Sequence, residues 1–152
     1  MFERCHTPHE AALVLRHRYG LPVQLLAGRP VVTTGSVLGA VVMPPALGRD
    51  VLVTLATPFP VPVVADPGER TWTFLVTPPS PAAPVDVRVR RGLAEHRVTV
   101  VPGGRHVLLP TTDSPRGRHW VGEPDPEVLR MPARSSVIEA VHRVTSLPAA
   151  SR

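Results

Sequence analysis

The chain has 152 residues, room for one domain or two very small ones, and 43% of them are apolar, enough to bury a core and to exclude wholesale disorder. All 17 basic residues are arginine; against 12 acids they give a net charge of +5, and the lack of lysine beside 20 prolines reflects GC-rich codons more than function. No apolar run approaches the ~20 residues of a membrane span, polar Glu3, Arg4, His6, His9 and Glu10 stand where a signal peptide needs its apolar stretch, and the single Cys5 excludes an intramolecular disulfide or CxxC site, so the chain reads as cytoplasmic.

Thr7-Pro8-His9-Glu10 has capping-box form, which predicts a helix running to about Tyr19 with Gly20 just past its end. Leu21 to Leu26 reads as a short buried strand, Ala27-Gly28-Arg29-Pro30 as a turn and Val31 to Thr34 as a second strand. Val37 to Met43, apolar apart from Gly39, predicts a strand covered on both faces. Pro44-Pro45 ends it, and Pro45 opens a helix through Leu55. Val61 to Ala65 and Trp72 to Thr77 form a hairpin across the Asp66-Pro67-Gly68-Glu69 turn, and residues 78–84 form an exposed Pro/Ala loop.

The sharpest periodicity is Val85-Asp86-Val87-Arg88-Val89-Arg90, where a period of two predicts a strand with Val85, Val87 and Val89 in the core and Arg88 and Arg90 on the opposite face. Val98 to Val101, Pro102-Gly103-Gly104 and His106 to Leu109 read as a second hairpin. A polar loop over Thr111 to Arg118, a last strand at His119 to Gly122 and a linker at Glu123 to Pro126 follow. Ser135 or Ser136 caps a final helix through about Thr145, with Val137, Ile138, Val141 and Val144 on its docking face. The succession predicts one α+β domain over residues 7–146: a mixed or mostly antiparallel sheet of short strands and hairpins, with an N-terminal, a central and a C-terminal helix. Residues 1–6 and 147–152 are expected to be flexible tails.

The position of the charge carries more than its size. Arg88, Arg90, Arg91, Arg97, Arg105, Arg116 and Arg118 face only Glu95 and Asp113 between Arg88 and His119, so seven arginines against two acids account for the whole +5 of the chain. A codon bias would spread arginine but would not strip acids from one stretch. Such a window is the footprint expected for a polyanion such as nucleic acid, with a solvated hairpin as the bland alternative. Trp72 and Trp120 are candidate stacking platforms for bases, against the alternative of core anchors.

Other chemistry finds little support. Cys5-His6 with His9 lacks a fourth zinc ligand. No serine lies in a GxSxG elbow, and Gly103-Gly104 has neither dinucleotide-loop spacing nor a P-loop lysine. No two carboxylates are spaced on a strand for two-metal catalysis. No catalytic residue, metal site or cofactor is predicted.

In order along residues 11–122, the motifs resemble the bifunctional DNA primase/polymerase family, the small Prim-Pol domains of archaeo-eukaryotic primase type. Ala11-Ala12 through Tyr19-Gly20-Leu21-Pro22-Val23 is similar to the family's opening helix and "GWPVFPL" strand, and Gly28-Arg29-Pro30 to its "K-x-P". Thr34-Gly35-Ser36 through Met43-Pro44-Pro45-Ala46-Leu47-Gly48 resembles the strand and helix start that carry the first catalytic acids. Gly68-Glu69-Arg70-Thr71-Trp72-Thr73-Phe74 resembles "GGRHLYF", and Gly103-Gly104-Arg105-His106-Val107-Leu108-Leu109-Pro110 through Gly117-Arg118-His119-Trp120 resembles "GGYVVAPPS…G…Y.W".

The resemblance implies an α+β fold that handles nucleotides, but the catalytic groups are missing. No acid lies between Gly35 and Arg49, Thr71 stands at the family's histidine, and the third acid is replaced near Thr99. The expectation is therefore a degenerate, non-catalytic version that binds nucleic acid, or a partner protein, through the Arg88–His119 region. The alternatives are an active nucleotidyltransferase using acids such as Asp86 and Asp66, and a small interaction module with an incidental basic surface.

Overall fold

The computed structural model describes all residues except 4, 6, 82 and 147–152. The order is α1 (Pro8–His17), β1 (Gln24–Leu26), β2 (Arg29–Thr33), β3 (Gly39–Met43), α2 (Pro45–Leu55), β4 (Val63–Ala65), β5 (Trp72–Val76), α3 (Val87–Ala94), β6 (Thr99–Val100), β7 (His106–Leu108), β8 (His119–Gly122) and α4 (Arg134–Ser146). The fold is α+β, with two antiparallel sheets ordered β1-β2-β7 and β6-β3-β5-β4-β8.

Local chemistry sets the first helices. Thr7 Oγ1 accepts from the Glu10 backbone N–H at 3.1 Å, Pro8 fills the first turn, and Ala11, Ala12 and Leu15 form the buried stripe of α1. Gly20, with φ of 70°, turns the chain after α1. α2 begins at Pro45 and ends at Leu55, as the sequence predicts. Gly48 sits inside it because a Cβ there would lie 2.6 Å from Trp72 Cε3. The ring takes the space that a side chain would need.

The five-stranded sheet is the frame. Val41 pairs with Phe74 and Val63 with Phe74, so β3, β5 and β4 lie side by side with alternate residues on opposite faces. On one face Val41, Met43, Val63, Phe74 and Val76 pack with Val51 of α2, Leu93 of α3 and Val137, Ala140, Val141 and Val144 of α4. On the other, Val64 and Leu75 pack with α1 and with Val32 of the small sheet. β4 and β5 form the predicted hairpin. Asp66 Oδ1 holds its turn by accepting from the backbone N–H of Arg70 at 2.7 Å and of Thr71 at 2.9 Å.

Several expectations fail for identifiable reasons. Val85–Arg90 is not a strand: α3 covers Val87–Ala94, a helix in addition to the three predicted, and Val87 is 57% exposed. Asp86 Oδ1 accepts from the Arg88 backbone N–H at 2.8 Å and caps the helix, and the unbranched arginines suit it. Only Val89 and Leu93, four residues apart, need the core. The second hairpin is also absent, since β6 pairs with β3 in the large sheet while β7 pairs with β2 in the small one. The Pro102-Gly103-Gly104 turn carries the chain between sheets. Leu21 and Val23 are buried but lie outside the strand, and β1 itself is exposed because it is the outer strand of a hairpin closed by Ala27 (φ 50°) and Gly28 (φ 74°).

α4 starts before either predicted serine cap, because the Arg134 backbone N–H donates to Thr77 O at 2.9 Å and ties the helix start to the end of β5. The amino terminus is not wholly a loose tail. Phe2 is buried against the α1 side, and its backbone N–H donates to Asp113 Oδ2 at 2.7 Å. The expected tail at 147–152 lies outside the described residues.

Candidate nucleic-acid interface

α3 sets the first three arginines. With Val89 and Leu93 turned inward, Arg88, Arg90 and Arg91 fan across the outer half of the helix, and all three are exposed. This replaces the single strand face predicted for Arg88 and Arg90. Arg97 follows at once in a left-handed conformation (φ 60°) that turns the chain into β6, and it too is exposed. Arg105 leads into β7. Its side chain is exposed, while its backbone N–H donates to Thr34 Oγ1 at 3.0 Å. Arg116 is exposed in the loop before β8.

Arg118 differs from the other six. It is half-buried in a cleft of about 230 Å³ between the two sheets, beside Val42, Asp66, Thr71, Thr73 and His106. Burial pulls its pKa below the usual arginine value; Asp66 counters this and the charge of Arg29 adds to it. His106 Nδ1 lies 3.2 Å from Thr33 Oγ1, and His119 bridges Gly117 O at 2.9 Å and Glu69 Oε1 at 3.2 Å.

Among the described residues none of the seven arginines makes an ion pair; the four pairs are Met1 with Asp113 and Glu123, His119 with Glu69, and Arg143 with Glu139. The seven do not share one groove. Arg90 lines a separate cavity of about 330 Å³ near Gly39 and Ala40, and Val101 is common to that cavity and the Arg118 cleft. Arg88 lines neither. The strand at Val37–Met43 does reach the cleft through Val42, but α3 lies away from that opening.

The two tryptophans, expected as stacking platforms, are buried. Trp72 is 4% exposed, wedged against Gly48, with the Arg49 guanidinium 5.2 Å from its ring centroid. Trp120 is 9% exposed and packs with the α1 side. Burying these large rings anchors both cores.

The cleft also bears on catalysis. Val42 stands opposite Thr73 on β5 and opposite Thr99 on β6, so Thr99, Val42 and Thr73 form one row across three strands. The resemblance would put acids in the strand that holds Val42 and near Thr99. The row has no carboxylate, and Asp66 is the one acid lining the cleft. Among the described residues no three His, Cys, Asp or Glu side chains cluster tightly enough to hold a metal. This donor set does not fit a two-metal centre. Of the Cys5-His6-His9 idea, His6 lies outside the described residues. Burial pushes the Cys5 thiol up, Glu10 and Asp113 push it further, and the amino terminus pulls it down.

Sequence reasoning missed Thr34, Ser36 and Arg134. Thr34 is buried and polar: its hydroxyl donates to Pro102 O at 2.6 Å, and its backbone is tied to Arg105. Ser36 and Arg134 line the Arg90 cavity from distant parts of the chain, and no local pattern announces that meeting. Among the described residues no helix is long and apolar enough to cross a membrane. Compared with protein-family models, curated proteins and solved structures, the chain matches none.

Proposed function

We propose that this chain is a non-catalytic nucleic-acid-binding domain of Prim-Pol-like ancestry, acting in the cytoplasm. Its contacts are phosphate contacts from Arg88, Arg90 and Arg91 on α3, Arg97 just after it, Arg105 before β7, and Arg116 and Arg118 before β8. The observation that carries this reading is that seven arginines in one acid-poor stretch have no ion-pair partner among the described residues, and six of them are exposed. Guanidiniums left open in this way neutralise phosphates at little cost in displaced partners. The ancestry rests on the order of motifs alone.

The nucleotidyltransferase alternative has weaker support. Asp66 spends one oxygen on two backbone N–H groups, Asp86 caps α3, and the two line different cavities.

Fluorescence anisotropy with single- and double-stranded DNA at several salt concentrations tests the proposal. The expected result is binding that weakens steeply with salt, with Arg88→Gln and Arg91→Gln each reducing the log–log salt slope by about 1. Undetectable binding at low salt, or binding independent of salt, overturns it.

A further inference from the structure

The Arg90 cavity has a composition unlike any other opening described above. It lies between the 34–36 loop, the start of β3, Pro78 with Ala83, Pro84 and Val85, and the turn after β6, and has a volume of about 330 Å³, within the ~300–1,000 Å³ range of small-ligand sites. Two arginines, Arg90 from α3 and Arg134 from the start of α4, are among the residues that line it. No carboxylate lines it among the described residues. Asp86 and Glu139 line an adjoining groove that Arg134 also lines, and among the described residues neither acid makes an ion pair with Arg90 or Arg134. The Ser36 hydroxyl makes no hydrogen bond among the described residues. The remaining wall is apolar, with Pro84, Val85 and Val101 facing the same space.

We propose that this cavity binds a small phosphate monoester. The phosphoryl group carries roughly −1.5 to −2 charges at pH 7, so it can engage both arginines and the serine through different oxygens. Each guanidinium presents a planar fork suited to one edge of that group. A carboxylate has one such edge and one charge, and would leave an arginine unmatched. The apolar wall receives the esterified carbon body. This goes beyond the nucleic-acid reading and can fail separately from it, because Arg134 lies outside the arginines that reading uses.

Calorimetric titration of the full chain with phenyl phosphate, inorganic phosphate and phenol tests it. Phenyl phosphate is expected to saturate one site per chain, inorganic phosphate to bind more weakly, and phenol to give no detectable heat. Arg90→Gln and Arg134→Gln are each expected to weaken phenyl phosphate about tenfold. Arg88→Gln, on the same helix but outside the cavity, leaves it unchanged, and Arg134→Gln leaves the DNA salt slope unchanged. No saturable binding, an equal loss in Arg88→Gln, or inorganic phosphate binding as tightly as the ester each overturn the proposal.

Discussion

The two faces of the five-stranded sheet are spent differently. One carries Val41, Met43, Val63, Phe74 and Val76 under α2, α3 and α4, and every one of these five residues is buried. The other carries Val64 and Leu75 under α1 and the small sheet, but its middle opens into the cleft through half-buried Val42, Thr71 and Thr73. The same strands thus supply a packed core on one side and a partly polar wall on the other. Stability should concentrate on the first face, and tolerance to substitution on the second.

Phe74→Ala is the harshest test of that contrast. Removing a fully buried ring from the covered face is expected to cost ~3–5 kcal/mol, read from urea unfolding. A loss below ~1 kcal/mol would mean that the helices do not close over this face. Gly48→Ala tests how tightly α2 sits on the same face. The new Cβ would meet the Trp72 ring at 2.6 Å, so overpacking of ~1–3 kcal/mol should outweigh the ~1 kcal/mol that alanine gains in helix propensity. Stabilisation instead would show that Trp72 can yield. Thr73→Val, on the cleft face, should change stability by no more than ~0.5 kcal/mol in either direction. A large effect there would erase the distinction between the faces.

Legibility followed whether the deciding contacts were local. α1 and α2 were readable because a threonine cap, prolines at first-turn positions and a glycine past the end act within a few residues. The β4–β5 hairpin was readable from its Asp-Pro-Gly-Glu turn. α3 was misread because its alternating valines satisfy a period of two, while the Asp86 cap and the Val89–Leu93 spacing satisfy a helix equally well. The core under α3 made the choice by needing only Val89 and Leu93. The arginine window was visible as charge, yet its division between α3 and the cleft depended on that same misread element. That Arg90 and Arg134 line one cavity depends on where α3 and α4 are each placed in the fold, which no local pattern encodes.

Thr34 has a mechanical consequence. Its hydroxyl donates to Pro102 O, its Oγ1 accepts from the Arg105 N–H, and its own N–H and C=O bond Arg105 O and the Gly104 N–H. The residue just after β2 thereby clasps both ends of the turn that carries the chain from β6 to β7. That turn joins Val101 to His106, and both line the cleft. The clasp therefore acts as a rivet at one end of the opening. The small sheet cannot slide along the large one there without breaking several hydrogen bonds together. The hydrogen bonds at Thr34 thus pin the end of the cleft that Val101 and His106 form.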